Sequence, residues 1–212
     1  MRYRYGDGMR SAFFEHTDTT AAARTIVRLA SGTDVYVGVA PRVRRAGGRD
    51  AIERVWSLWA DLDDADAATA LDDLPVAPAI RIASGSSGHL HAYWPLQQPI
   101  GVLEAEAANR RLAAELGADG GAVTNAATIL RSPGTNSHKT TPPRPVVLVR
   151  LHEATTTVHA VTAGIARDPA PARAAPILTT TARRGQDPLR ALDPALYVEV
   201  GTTVSSGPTA TA

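Results

Sequence analysis

The stretch Val55-Trp56-Ser57-Leu58-Trp59-Ala60-Asp61-Leu62-Asp63-Asp64 limits what this chain can become. It reads as an apolar strand ending in acid. Side chains alternate faces along a strand. Trp56, Leu58, Ala60 and Leu62 therefore share one face, suited to a core. Asp61 and Asp63 share the other, with Cα atoms about 6.6 Å apart at roughly 3.3 Å per residue. Two carboxylates that close repel unless a cation lies between them. Hard divalent ions such as Mg²⁺ or Mn²⁺ take carboxylate oxygens and meet that need. The competing account is an exposed acidic strand end entering a turn.

The bulk numbers narrow the classes. The chain has 212 residues, 44% of them hydrophobic, enough for one sizeable core or one domain plus a tail. Its formal net charge is +1, so any basic surface must be local. With no cysteine, disulfides, iron–sulfur clusters and thiolate zinc sites are excluded within these residues. Met1-Arg2-Tyr3-Arg4 leads into polar residues rather than the apolar core of a signal peptide. No apolar run approaches the ~20 residues that cross a bilayer. A soluble, cytoplasmic protein without membrane contact is the expectation.

Along the chain, a helix is expected over Thr17–Ala30, capped by Thr17 or Asp18 and stopped by Ser31-Gly32-Thr33-Asp34. A β-branched strand follows at Val35–Ala40, then a basic loop with Arg42, Arg44, Arg45 and Arg49. That loop is either a solvated connection or a phosphate contact. After the acidic strand come a short helix at Ala65–Leu74 and a strand at Ala79–Ala83. A small-residue turn, Ser84-Gly85-Ser86-Ser87-Gly88, leads into a strand at His89–Trp94, with His89, His91 and Tyr93 on one face. Gln98-Pro99 marks a turn, and Val102–Leu116 is a helix stopped by Gly117. Strands at Val146–Leu151 and Val158–Val161 are expected as a hairpin.

From about Ala163 the composition turns linker-like, with a Pro/Ala/Arg-rich run. One short helix is expected within Asp187–Val200, and disorder over Gly201–Ala212. The expected organisation is a catalytic domain over 1–162 and a linker with a tail over 163–212.

Two further constellations carry chemistry. In Ser84-Gly85-x-x-Gly88, small residues let backbone N–H groups approach an anion, and a histidine on the next strand can donate to a phosphate oxygen. His91 and His89 compete for that role, against the alternative of a histidine satisfied inside a sheet. In Ile129-Leu130-Arg131-Ser132-Pro133-Gly134-Thr135-Asn136-Ser137-His138-Lys139, arginine offers planar bidentate phosphate contacts and lysine a point charge. Asp119 lies between the long helix and this loop. It is either a third metal-site carboxylate or a turn aspartate.

Taken together, these stretches resemble the archaeo-eukaryotic primase superfamily. The likeness is to the primase-polymerase domains of plasmid, phage and integrated-element replication proteins, and it covers roughly Val35 to Leu151. It rests on Asp61 and Asp63, then Ser84, Gly85 and His91, then Asp119, then Arg131, Pro133, Gly134, Thr135, Asn136 and Lys139, in that order. The histidine turn is one residue longer than the family's usual one, which leaves His89 against His91 open. Asp119 is matched by position rather than by motif.

The resemblance implies an α/β (α+β) fold, with an RRM-like antiparallel sheet, flanking helices and an N-terminal α/β subdomain. It implies a DNA primase/polymerase in which Asp61, Asp63 and Asp119 hold two Mg²⁺ or Mn²⁺ ions. Ser84, Gly85, His91, Arg131 and Lys139 would bind the nucleotide. The implied partners are a single-stranded DNA template, nucleoside triphosphates and a replicative helicase. Two rivals stand beside it: a non-catalytic nucleic-acid-binding module of the same fold, and a phosphohydrolase of the haloacid dehalogenase kind. The latter also begins with an apolar strand and Asp-x-Asp, but Asp64-Ala65 does not supply the Thr or Val it wants.

Overall fold

A computed structural model describes residues 2–5, 8–118, 120–165 and 197–201; for 2–5, 8, 9, 122 and 197–201 it describes the backbone alone. Asp119 and the stretches 166–196 and 202–212 lie outside the described residues. So does most of the linker and tail, including 187–196 of the expected late helix.

The chain opens on an antiparallel hairpin, β1 (Arg2–Tyr5) and β2 (Gly8–Glu15), which sequence reasoning missed. Helix α1 (Thr19–Ala30) follows, its first turn held by the Asp18 carboxylate, which accepts from the Ala21 N–H at 3.2 Å. Strand β3 (Tyr36–Gly38) comes next. Its neighbour Val35 is fully buried against Phe14, Ile26 and Leu29.

The long acidic strand is β4 (Arg54–Leu62). Leu58, Ala60 and Leu62 are buried as their alternation predicts, and so is Trp59 on the opposite face. Trp56 departs from expectation and is 46% exposed. The ladder jumps between Val55 and Ser57, where four residues of the partner strand, Leu96–Pro99, stand opposite Trp56 alone, so Trp56 has no paired cross-strand neighbour. Helix α2 (Ala65–Ala70), capped by Asp64, is shorter than the expected Ala65–Leu74.

Strand β5 (Ile80–Ala83) and the long β6 (Leu90–Gly101) follow. The Gln98-Pro99 turn signal falls inside β6, at its irregularity, rather than ending it. Helix α3 (Val102–Glu115) matches its expected bounds closely. It buries Ala105, Ala108 and Leu112, and the side-chain Oδ1 of its Asn109 accepts from the Trp59 backbone N–H at 3.0 Å.

The last part holds β7 (Ile129–Arg131), β8 (Thr135–Ser137), β9 (Arg144–Leu151), α4 (Val158–Thr162) and β10 (Tyr197–Gly201). Two expectations fail here. Val158–Val161 is a helical turn, not a strand: Thr157 caps it by accepting from the Ala160 N–H at 3.1 Å, and Val161 packs into the core. Tyr197–Gly201 is a strand paired with β2 and β3, where a helix was expected to run to Val200.

Among the described residues two sheets of five strands form, ordered β1-β2-β10-β3-β7 and β4-β6-β5-β9-β8. The second is antiparallel throughout and carries α2 and α3, which gives the expected α/β fold with an antiparallel sheet and flanking helices. One main core joins Trp59, Trp94, Leu112 and Val161 to Leu130 and Ala126 beside the first sheet. The crossing between sheets is made by Ser132-Pro133-Gly134, since β7 belongs to the first and β8 to the second. No helix among the described residues is long and apolar enough to cross a membrane.

Candidate active site

β4 runs antiparallel to β6 with Asp61 directly opposite His91. Paired residues on neighbouring strands project from the same face. The Asp61 carboxylate lies 3.5 Å from His91 Nε2. One step further out, Asp63 Oδ1 lies 2.7 Å from His89 Nδ1. The two histidines thus divide the work: His91 is buried beside the inner carboxylate, and His89 sits half-exposed on the outer one.

The inner carboxylate is under electrostatic load. Burial, then the neighbouring charge of Asp63, pushes Asp61 up to about 6, although Arg131, His89 and Lys139 pull the other way. His91 is driven down to about 3, chiefly by burial and then by the Arg131 cation, so its ring is neutral. Its Nδ1 is buried without a hydrogen-bond partner among the described residues. Burial and the Asp61 charge also raise Tyr93, one step deeper on the same face as His91.

Arg131 arrives from the other sheet. It ends β7, is 7% exposed, and donates from Nε to Asp34 Oδ1 at 3.4 Å and from Nη2 to the Tyr36 hydroxyl at 3.1 Å. Its guanidinium carbon stands 5.2 Å from the Tyr36 ring centroid. Beyond it Gly134 takes a positive φ of 77°, and its N–H donates to the Val146 carbonyl at 2.9 Å, which turns the chain into β8 alongside β9. Lys139, exposed, lies in the turn between β8 and β9. Between the sheets, beneath these groups, a largely apolar cavity of about 200 Å³ is lined by Val37, Ile82, Tyr93, Leu130 and Arg131 among others.

The small-residue turn has a packing reason as well. Gly85 has φ +85°, and a Cβ there would meet Ser137 Cβ at 2.6 Å and the Arg144 carbonyl at 3.1 Å. The histidine turn therefore packs against the strand that follows the Pro-Gly turn. Ser84 is buried, and its N–H donates to the His89 carbonyl at 3.1 Å.

The sequence-predicted residues Asp61, Asp63, His91, Arg131 and Lys139 converge, with Ser84 and Gly85 in the adjoining turn. Asp119 lies outside the described residues, and among those described no group of three His, Cys, Asp or Glu side chains could hold a metal ion. Two carboxylates at one strand end still fit Mg²⁺, which binds through one or two carboxylates and keeps waters and substrate oxygens for the rest. The strained Asp61 charge is what such a cation would relieve. Asp34 and Tyr36 were not foreseen. Of the basic loop, Arg44 is paired with Asp50, and Arg49 grips Glu106 at 2.7 and 2.9 Å, which favours a local structural role.

No family model matches the chain, and no curated protein matches it by sequence. Solved structures do match. The AEP domain of the cyanophage S-2L primase-polymerase superposes with a TM-score of 0.51 at 16% identity, over 72% of this chain and 99% of that one. Primase RepB′ gives 0.55 at 20% identity, over 72% of this chain but only half, 50%, of that one. The catalytic domain of RepB′ in complex with initiator DNA gives 0.55 at 19%, over 75% and 78%. The chain shares the fold of these primase and primase-polymerase domains.

Proposed function

We propose that this protein is a template-directed nucleotidyltransferase, a DNA primase or polymerase, acting on nucleoside triphosphates along single-stranded DNA. One observation carries the reading: an acidic strand end and a buried neutral histidine on one sheet meet an arginine delivered from the other, with a lysine close by in the turn between β8 and β9. Phosphoryl transfer asks mainly for positioning and charge neutralisation, and this arrangement offers both.

Asp61 and Asp63 would hold divalent metal, with Asp119 as a third ligand. The metal, bound as a pair, would lower the charge on the attacking and leaving oxygens. The chain's own residues do the rest. His91, neutral and fixed by the sheet, donates to a phosphate oxygen of the incoming nucleotide. Arg131 and Lys139 offset the triphosphate charge. The primer 3′-oxygen then bonds to the α-phosphorus, the bond from that phosphorus to the bridging oxygen breaks, and pyrophosphate leaves. Two structural neighbours are primases and a third is a primase-polymerase, one of them bound to initiator DNA, which supports this class of partner.

The test is primer extension on single-stranded template with both kinds of nucleotide and Mg²⁺ or Mn²⁺, with and without primer. Wild type incorporates nucleotide, and the Asp61→Ala/Asp63→Ala variant does not while keeping its circular-dichroism spectrum. Full activity in that variant would defeat the proposal.

A further inference from the structure

We infer that Asp34 is a positioning residue for the nucleotide pocket: its carboxylate fixes both the Arg131 guanidinium and the turn that presents Lys139. The observation is one oxygen with two donors. Asp34 Oδ1 accepts from Arg131 Nε at 3.4 Å and from the His138 N–H at 2.9 Å. These partners lie 97 and 104 residues along the chain. Asp34 is only 1% exposed, so water does not compete for that oxygen.

Its neighbours reinforce the grip. The Val35 carbonyl accepts from the Ser132 N–H at 3.0 Å, and the Tyr36 hydroxyl accepts from Arg131 Nη2 at 3.1 Å. Three consecutive residues thus hold both ends of the Arg131–His138 crossing. Two of the three guanidinium nitrogens are committed to Asp34 and Tyr36, which sets the plane of the group.

Stability alone does not explain this pairing. A buried ion pair is often no better than apolar residues of the same volume, because two charges must be desolvated. What it does supply is a fixed direction for the charge. Planar arginine contacts to phosphate depend on that direction, and a loosely held guanidinium loses it. Asp34 also offsets the Arg131 charge where no phosphate is bound, so the cation can remain buried in the waiting state.

This inference rests on the nucleotidyltransferase reading only for the ligand, a nucleoside triphosphate. The experiment measures binding of a fluorescent nucleoside triphosphate, with Mn²⁺ present, to wild type, Asp34→Asn, Asp34→Ala, Arg131→Ala and the Asp34→Ala/Arg131→Ala pair. Binding of Mn²⁺ alone is measured alongside. Asp34→Ala should weaken triphosphate binding about tenfold, the scale of one charge-assisted hydrogen bond. It should leave binding of Mn²⁺ alone within about twofold, as expected when an effect acts through contacts the metal does not share. In the Arg131→Ala background the same substitution should lose the part of its effect that runs through the guanidinium and keep only the smaller part that runs through the His138 turn. Asp34→Asn keeps the accepting oxygen and loses the charge, so it should fall between wild type and Asp34→Ala.

Equal losses in both backgrounds would overturn the inference, as would an equal loss for Mn²⁺ alone or a wild type that binds no triphosphate. If Asp34→Ala does not fold, Asp34→Asn with and without Arg131→Ala decides on the same criterion. Incorporation is scored separately on wild type. Its absence, with the coupling intact, would sink the polymerase reading and leave this positioning role standing.

Discussion

At the residue scale the decisive group is Asp61, a carboxylate placed where its charge is costly. Its folded-state pKa is raised from 3.8 to about 6, so the folded protein holds this proton more tightly than the unfolded chain does. In metal-free buffer its contribution to stability therefore falls as pH rises from about 4 to about 6, and the full cost persists above that. His91 has the opposite sign. Lowered from 6.5 to about 3, it costs stability as pH falls through that window, because the unfolded chain takes up the proton first. In wild type the two effects offset each other over much of the acid range. Asp61→Asn removes one of them. Without divalent ion at pH 7.5 it should raise the melting temperature by several degrees, given about 2–4 °C per kcal/mol for a chain of this size. The gain should shrink as pH is lowered toward 5, where wild-type Asp61 is already mostly protonated, and acid destabilisation should steepen. Melting curves across pH 4–8 measure this; a lower melting temperature for the variant at pH 7.5 would refute the account.

At the element scale, the turn between β5 and β6 is built against the end of β8 and the start of β9. Gly85 is where they touch. Ala at that position meets two costs: a left-handed φ, about 1–2 kcal/mol, and overlap with Ser137 and the Arg144 carbonyl. Gly134 has a comparable φ of 77° but nothing within 4 Å of where a Cβ would stand. Gly134→Ala should therefore lose only the conformational part. Gly85→Ala should lose more, by about 1 kcal/mol or beyond as overpacking usually does, and should also slow nucleotide incorporation because the histidine turn shifts against the Arg131 loop. Denaturant midpoints with matched primer-extension rates test the pair. Equal stabilities would mean that the turns do not depend on close contact.

The same elements show what a sequence can reveal. α1 and α3 were legible because a long apolar periodicity with a clear stop leaves little ambiguity. α4 was not, because a run as short as Val158-His159-Ala160-Val161 fits a strand or a single helical turn equally well, and the Thr157 cap decided it. Trp56 was placed in the core by alternation, and an irregularity of its partner strand undid that. Within the site, Asp61, His91 and Arg131 were legible since each closes or lines an apolar strand where a polar side chain needs a reason. Asp34 looked like part of a helix stop. Its partners lie about a hundred residues away, and no local pattern encodes a pairing at that distance.

At the scale of the whole molecule, the proposed function needs the acidic end of β4 to meet Arg131 from the other sheet and Lys139 from the turn after β8, in a protein whose net charge is only +1. So weak a global field cannot gather nucleic acid from afar, and every cation in the cleft counts locally. The question is which polyanion Lys139 serves, nucleotide or template. It lies close enough to act on Asp61 through charge and follows directly on His138, which Asp34 holds; under the proposed function that favours the triphosphate over the template. Lys139→Ala should then raise the nucleotide KM several-fold at constant template. The salt dependence of single-stranded DNA binding should not change. Each phosphate neutralised on a single strand contributes about 0.7 to the slope of log affinity against log salt. A loss of about that amount in Lys139→Ala, with KM unchanged, would assign the lysine to the template and leave Arg131 as the triphosphate's cation on that side of the cleft.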